Sequence, residues 1–394
     1  MATSLRSPRS LVCGPDEYWP TYAQDEIDAV TDVLRSGKVN QWTGPTVGQF
    51  EAACEAAFGG AHGIALANGS LALELPLMAF GIGAGDEVIV TPRSFVASAS
   101  CVRLVGATPV FADIDAASGN ITAETIERVI TPRTRAIIPV HLGGWPCDMP
   151  AIMALARRHG IKVIEDCAQA HGAMIGDRPV GAFGDAAAFS FCQDKIITTG
   201  GEGGYVRFAD KGDYDWAWSY KDHGKNRDKV FATDHPPGFR WLHDTVGTNW
   251  RLTAMQAAIG IRQLAKLPEW TRLRTRNAGI WRAALADMPS LDIPAVPDGM
   301  VHAYYRYYFY LRDDDAALRD QVLARATECG LRVFSGSCSE VYLEHAFDDL
   351  PRPDLPVARR LGRTSLMTEI YPTLDPEALA DRAAALRDII ASVA

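Results

Sequence analysis

The strongest constraint on this chain is an alternation of short apolar runs with helix-like stretches. Residues 63–67, 87–91, 109–114, 135–141, 162–166, 186–191 and 204–208 each read as a strand. Segments near 70–80, 95–105, 122–130 and 150–159 carry helical spacing between most of them. Strands that read as near-continuous apolar runs are covered on both faces, so the pattern implies a mostly parallel sheet sandwiched by helices. Residues 173–181, with Gly176-Asp177 at the turn, read as a hairpin inserted in this pattern. Helical spacing also marks 22–36 and 46–58 ahead of the first strand, and 253–267 after the last. The character changes after Pro268: an aromatic strand at 304–311 is followed by helices at 315–329 and 376–393. The expected fold is α/β, with a large domain over 21–267, a smaller α+β domain over 268–394, and a loose segment over 1–20, polar to about Gly14.

Composition narrows the function. With 39 Lys and Arg against 48 Asp and Glu, the net charge is −9. An acidic chain without basic runs is ill suited to sequence-independent nucleic-acid binding, yet a local pocket can still hold a small anion. No uninterrupted apolar stretch is long enough to span a bilayer, and the N-terminus lacks the apolar core of a secretory signal. Eight cysteines without C-x-x-C spacing read as free, mostly buried thiols. Together these give the expectation of a cytoplasmic protein with no membrane or nucleic-acid partner.

The chemistry concentrates between 161 and 204. One strand ends in Glu165-Asp166 and is followed by Gln169 and His171. Another leads through Cys192-Gln193-Asp194-Lys195 into the Gly/Thr-rich stretch 196–204. In a doubly wound sheet, the loops beyond the carboxyl ends of the strands line the binding crevice, so Asp166 and Lys195 both arrive there. A carboxylate at a strand end and a lysine in a loop after a strand are what a pyridoxal phosphate (PLP) site requires. The lysine forms a Schiff base, and the aspartate keeps the pyridine nitrogen protonated. Gly81-Ile82-Gly83-Ala84-Gly85-Asp86 imitates a dinucleotide fingerprint but follows a helix, and reads as a turn. A metal site built from His141, Asp148, Asp166 and His171 has no defensible ligand spacing.

An ordered set of blocks over roughly 65–265 makes a resemblance specific. These are Ala67-Asn68-Gly69-Ser70-Leu71-Ala72-Leu73, Gly85-Asp86-Glu87-Val88-Ile89-Val90, Gly106-Ala107-Thr108-Pro109-Val110-Phe111, Pro139-Val140-His141-Leu142, Glu165-Asp166-Cys167-Ala168-Gln169-Ala170-His171-Gly172, Ser190-Phe191 to Lys195, and Thr248-Asn249-Trp250-Arg251. The chain resembles the DegT/DnrJ/EryC1/StrS family of PLP-dependent sugar aminotransferases, of fold type I. The resemblance implies Lys195 as the cofactor lysine and proton shuttle, with a pKa lowered by burial. It implies Asp166 at the pyridine nitrogen, Gln169 at the ring hydroxyl and Phe95 over the ring. It gives Gly69, Ser70 and Ser190 to the phosphate. It also implies Asn249 reaching the phosphate of a neighbouring subunit, hence a homodimer with its sites at the interface.

The implied reaction moves an amino group from an amino acid, L-glutamate, to a keto-sugar, nucleotide-linked, in amino-sugar or surface-polysaccharide (O-antigen) biosynthesis. Two alternatives stand beside it. A sugar dehydratase of the same family replaces the lysine with histidine, which Lys195 argues against; a non-catalytic PLP-binding regulatory homologue is disfavoured by the intact Lys195, Asp166 and Gln169. Bland readings also stand: Ser70 as a helix cap, Phe95 as a core residue. His171, His223, Lys221 and Arg251 are candidate substrate contacts, against readings as satisfied histidines and a solvated basic loop. Four departures from the family pattern are visible. Asn68-Gly69-Ser70 stands in place of the usual Ser-Gly-Thr. Pro76 should kink or shorten its helix. Asp194, if turned inward, would oppose a lowered Lys195 pKa. Residues 334–347 lack the Pro-x-His pattern near the sugar site.

Overall fold

The computed structural model describes Leu11, Gly14 and residues 17–393 apart from 61 and 236. Its first strands are β1 (Gly63–Leu66), β2 (Glu87–Val90), β3 (Thr108–Phe111), β4 (Thr134–Ile138) and β5 (Lys162–Asp166). The hairpin β6 (Met174–Ile175) and β7 (Arg178–Pro179) follows, then β8 (Ala186–Ser190) and β9 (Gly204–Phe208). The main sheet has the order β1-β9-β8-β5-β4-β2-β3. Pairing is parallel from β3 across to β8, and β9 runs antiparallel to both β8 and β1. All seven runs read as strands from the sequence are therefore present, and the sheet is mostly parallel as expected.

Helices cover both faces. They are α1 (Gln24–Ser36), α2 (Thr46–Phe58), α3 (Gly69–Ala79), α4 (Ala97–Leu104), α5 (Ala123–Glu127), α6 (Met149–His159), α7 (Lys211–Tyr220) and α8 (Arg227–Phe231). One apolar core lies under α3, α4 and α6, and a second joins the opposite face to α2 and to the 32-residue α9 (Ala254–Leu285). β1, β2 and β8 are buried throughout because both faces are covered, which is why Glu-Val-Ile-Val in β2 shows no alternation. Gly81–Asp86 is indeed a turn, closed by the Asp86 N–H on the Gly83 carbonyl at 3.1 Å. At the hairpin, Gly176 takes the left-handed φ of 61° that the turn requires.

The C-terminal part is antiparallel. β10 (Leu291–Asp292), β12 (Tyr307–Leu311), β13 (Val333–Phe334) and β14 (Ser365–Thr368) form a sheet of order β10-β12-β14-β13, while β11 (Met300–Val301) joins β6. Helices α10 (Ala316–Glu328), α11 (Pro356–Thr364) and α12 (Pro376–Val393) complete it. Among the described residues no helix is long and apolar enough to cross a membrane. Seven cysteines are free thiols, four of them buried; Cys13 lies outside the described residues.

Three local expectations are corrected. The helix expected to stop at 267 runs through Pro268 to Leu285. A proline in a helix interior costs about 3 kcal/mol. The flanks offset that cost: Leu264 and Leu267 pack in one core, and Ala278, Trp281 and Leu285 in another. Pro76 sits in the last turn of α3, which continues to Ala79. Of the segment read as loose over 1–20, residues 1–10, 12, 13, 15 and 16 lie outside the described residues, and its end from Glu17 is anchored. Glu17 pairs with Arg382 through two hydrogen bonds, one of 3.0 Å, and the Trp19 indole donates to the Lys195 carbonyl at 2.7 Å.

Candidate active site

The carboxyl ends of β5 and β8 lie side by side, and each delivers a polar group. Asp166 closes β5, and its carboxylate accepts from the Ser98 hydroxyl at 2.8 Å and from the Ala168 N–H at 3.1 Å. It is buried, and among the described residues no cation contacts it. Burial therefore raises its pKa, and the opposing pull of Ser98, Ala168 and the more distant His141 and Lys195 does not restore it. In the turn after β5, the Gln169 side-chain oxygen accepts from the Gly143 N–H at 2.8 Å.

Beyond β8 the chain folds into a closed loop. The Phe191 carbonyl accepts from Thr199 N–H and the Thr198 hydroxyl, and Gln263 of α9 takes the Thr198 N–H at 2.8 Å. The glycines allow close approach: a Cβ on Gly204 would lie 2.1 Å from the Asn68 carbonyl oxygen. This loop, with Trp19 beneath it, fixes Lys195 so that its amine enters a cleft of about 340 Å³. Phe95, Gln169, Asp194, Tyr305, Arg306, Ser337 and Glu344 are among the cleft-lining residues.

At the end of β1 the Asn68 side chain accepts from the Leu71 N–H at 3.0 Å and caps α3. Asn68, rather than Ser70, is therefore the cap, and Gly69 and Ser70 occupy the first turn, whose N–H groups have no partner within the helix. Ser190 ends β8 directly opposite: a Cβ on Gly69 would stand 2.5 Å from the Ser190 Cβ and 2.8 Å from its Oγ. With no acidic residue in that turn, the helix end suits an anion. An amine, a buried carboxylate lacking a counter-charge and an anion-binding helix end are the donor set that PLP needs, so these residues fit the cofactor.

Phe95 is 68% exposed at the cleft, which excludes the core reading. Asn249 is also exposed, on a segment that pairs through Leu66 and Arg251 with the end of β1. Four substrate candidates fall elsewhere. His171 is fully buried, stacked at 5.4 Å on Phe191 and 5.8 Å on Phe189, with neither nitrogen hydrogen-bonded; it has no face toward the cleft. Lys221 is fully buried and donates to Gln41 at 2.6 Å, so the solvated-loop reading fails as well. Arg251 pairs with Asp222 at 2.6 Å, which Lys225 also contacts. His223 is exposed in a left-handed turn (φ 61°) and does not line the cleft. His141 is structural: it contacts Glu165 at 3.3 Å and accepts the Cys147 N–H at 2.9 Å. His141, Glu165 and Cys167 cluster closely enough to suggest a metal. The Glu165 oxygens, however, already accept from the N–H groups of Gly181, Phe183 and Gly184.

The expected lowering of the Lys195 pKa is reversed in the cofactor-free chain. Burial pushes the ammonium down, but Tyr305 and Asp194, both 3.3 Å from Nζ, outweigh it and leave the pKa raised. Asp194 does turn inward. Sequence reasoning missed Tyr305 and Arg306, although both lie in the aromatic run at 304–311 already read as a strand, and Ser98, which stands three residues after Phe95.

The buried histidines predict an acid response. Burial lowers the pKa of His171 and of His302 from 6.5 to about 3, so the fold holds both neutral. Between pH 6.5 and about 3 the unfolded chain binds more protons, and stability falls as pH drops through that window. Urea midpoints should decline from pH 7 to 4.5, with a shallower decline in His171→Phe. Parallel curves for the two proteins would refute this origin.

Residues 20–387 match the model of the DegT/DnrJ/EryC1/StrS aminotransferase family. The chain is 39% identical over 332 residues to the UDP-N-acetyl-3-dehydro-alpha-D-glucosamine 3-aminotransferase of Acidithiobacillus ferrooxidans, covering 84% of each chain. It is 38% identical over 351 residues to the GDP-perosamine synthase of Caulobacter vibrioides, covering 87% of this chain and 90% of that one. The X-ray structure of the aminotransferase from Psychrobacter cryohalolentis matches with a TM-score of 0.93 at 48% identity, over 95% of this chain and 99% of that one. The lysine and aspartate at adjoining strand ends thus sit in a chain that belongs to the DegT/DnrJ/EryC1/StrS aminotransferase family and works with pyridoxal phosphate.

Proposed function

We propose that this protein transfers the amino group of an amino acid, L-glutamate, to a nucleotide-linked keto-sugar for amino-sugar or surface-polysaccharide synthesis. The observation that carries the reading is the grouping around two paired strands: Lys195 and Gln169 line one cleft, Asp166 closes β5, and Ser190 at the end of the neighbouring β8 abuts Gly69. Two similar proteins bear names of enzymes that aminate or build nucleotide-linked sugars, which supports the substrate class.

In this reading Lys195 holds the cofactor through Nζ. The N–H groups of Gly69 and Ser70 and the Ser190 hydroxyl hold its phosphate, Gln169 meets its ring hydroxyl, and Phe95 covers its face. PLP, when bound, supplies an electron sink for the bond broken at the donor α-carbon. Asp166 keeps a proton on the ring nitrogen by its negative charge. Lys195, once released, takes the proton from the donor Cα at Nζ and returns it on the other side of the exchange; in the second half it runs the transfer backwards with the sugar. Asn249 faces out from its own subunit and serves the phosphate of a second copy in a homodimer. The enzyme works in the cytoplasm.

The test is an absorption spectrum of the protein loaded with PLP, followed by L-glutamate and then by a series of nucleotide-linked keto-sugars. The visible band should bleach with glutamate and return with one sugar. A band untouched by every amino donor would overturn the aminotransferase reading, and return with non-sugar keto acids alone would overturn the sugar.

A further inference from the structure

Lys195 lies in an unusual electrostatic setting. Its Nζ donates to the Tyr305 Oη at 3.3 Å and sits 3.3 Å from an Asp194 oxygen. The Tyr305 hydroxyl in turn donates to Asp194, so its lone pairs are left to face the ammonium. Arg306 approaches the same Asp194 carboxylate at 3.4 Å, and its guanidinium lies 4.5 Å from the Tyr305 ring centroid. Asp166 on β5 and His171 behind the sheet are the other titratable groups that feel Lys195.

The backbone that aims Tyr305 is strained. Tyr304 holds φ at 49°, a left-handed conformation that costs a non-glycine residue about 1–2 kcal/mol. Its N–H donates to His302 Nδ1 at 2.8 Å, and the two rings stack at 4.0 Å. On either side, the Ala303 N–H donates to the Gly144 carbonyl at 2.9 Å and the Arg306 N–H to the Gly143 carbonyl at 3.3 Å. Strain maintained by so many contacts marks a position that the surrounding structure over-determines.

We propose that Asp194 and Tyr305 form a dock for the ε-ammonium of Lys195, which holds the side chain and its proton in the cleft when the lysine is free of the cofactor and has taken up a proton. Tyr305 is then a positioning residue, and Tyr304 the strained joint that aims it. The inference rests on Lys195 being the cofactor lysine. The raised Lys195 pKa follows from the same contacts. The dock slows rejoining, because Nζ attacks only as the neutral amine. Its proton passes first to the buffer, the carbon–nitrogen bond then forms at the aldehyde carbon, and the aldehyde oxygen leaves as water.

The test mixes cofactor-free protein with PLP and follows growth of the visible band from pH 6 to 9. Borohydride reduction and peptide mapping then confirm the label on Lys195. Wild type, Asp194→Asn and Tyr305→Phe are compared. Because the raised pKa lies above this range, the rate should climb with pH without a plateau, and at each pH it should be about tenfold higher in Asp194→Asn, the gain in neutral amine from a pKa about one unit lower. The gain should be smaller in Tyr305→Phe. Unchanged rates in both variants would overturn the dock alone. No label on Lys195 in wild type would overturn the cofactor reading, and the dock with it.

Discussion

Lys195→Ala should lower turnover by at least about 10⁴-fold, because one side chain serves as both the attachment point and the proton shuttle. The loss should appear in kcat in both half-reactions, and the visible band of the loaded protein should vanish. Stability should barely move. Lys195 is anchored by its backbone, through Trp19 and the 192–195 turn, while the polar partners of its side chain among the described residues are Asp194 and Tyr305. Asp194 keeps Tyr305 and Arg306 as partners when the amine is removed. Single-turnover kinetics with L-glutamate and a thermal melt separate the two effects. Turnover within tenfold of wild type would end the assignment of Lys195.

Asp166→Asn should pull function and stability in opposite directions. The amide keeps the shape and an oxygen for Ser98 but loses the charge that keeps the ring nitrogen protonated. A lost electrostatic partner of this kind lowers kcat by about 10²–10³-fold. In the cofactor-free fold the same charge is a liability, because burial raises the Asp166 pKa above its usual 3.8. A raised carboxyl pKa means the folded state holds that proton better than the unfolded chain. The resulting stability is present at low pH and lost as pH rises through the folded pKa. At neutral pH the asparagine variant should therefore melt higher, with the gain fading as the pH approaches 3.8. A variant that is less stable at pH 7, or one that keeps full kcat, would contradict this role.

Much of the large sheet was legible because strands buried on both faces leave apolar runs that polar loops interrupt. The same rule put Asp166 and Lys195 on neighbouring strand ends before any contact was known. What escaped was set by contacts distant in sequence. Nothing local shows that Trp19 would reach the Lys195 carbonyl 176 positions away. Tyr305 looked like one more aromatic in a strand, since its role depends on the left-handed turn at Tyr304. His171 sits in the block containing Gln169, yet its side chain falls on the opposite side among phenylalanines. Lys221 and Arg251 suggested an anion site, but Gln41 and Asp222 engage them instead. Pro268 reads locally as a stop, and only packing at both ends explains the continued helix.

That continued helix bears on how the protein comes apart. At 1.5 Å per residue, the 32 residues of α9 make a rod of roughly 48 Å. One half packs on α1 and α2, and the other on α12. A segment embedded in two cores cannot melt in one and stay ordered in the other without exposing apolar surface. The protein is therefore expected to unfold as a single cooperative unit, with one calorimetric transition and no surviving half after limited proteolysis.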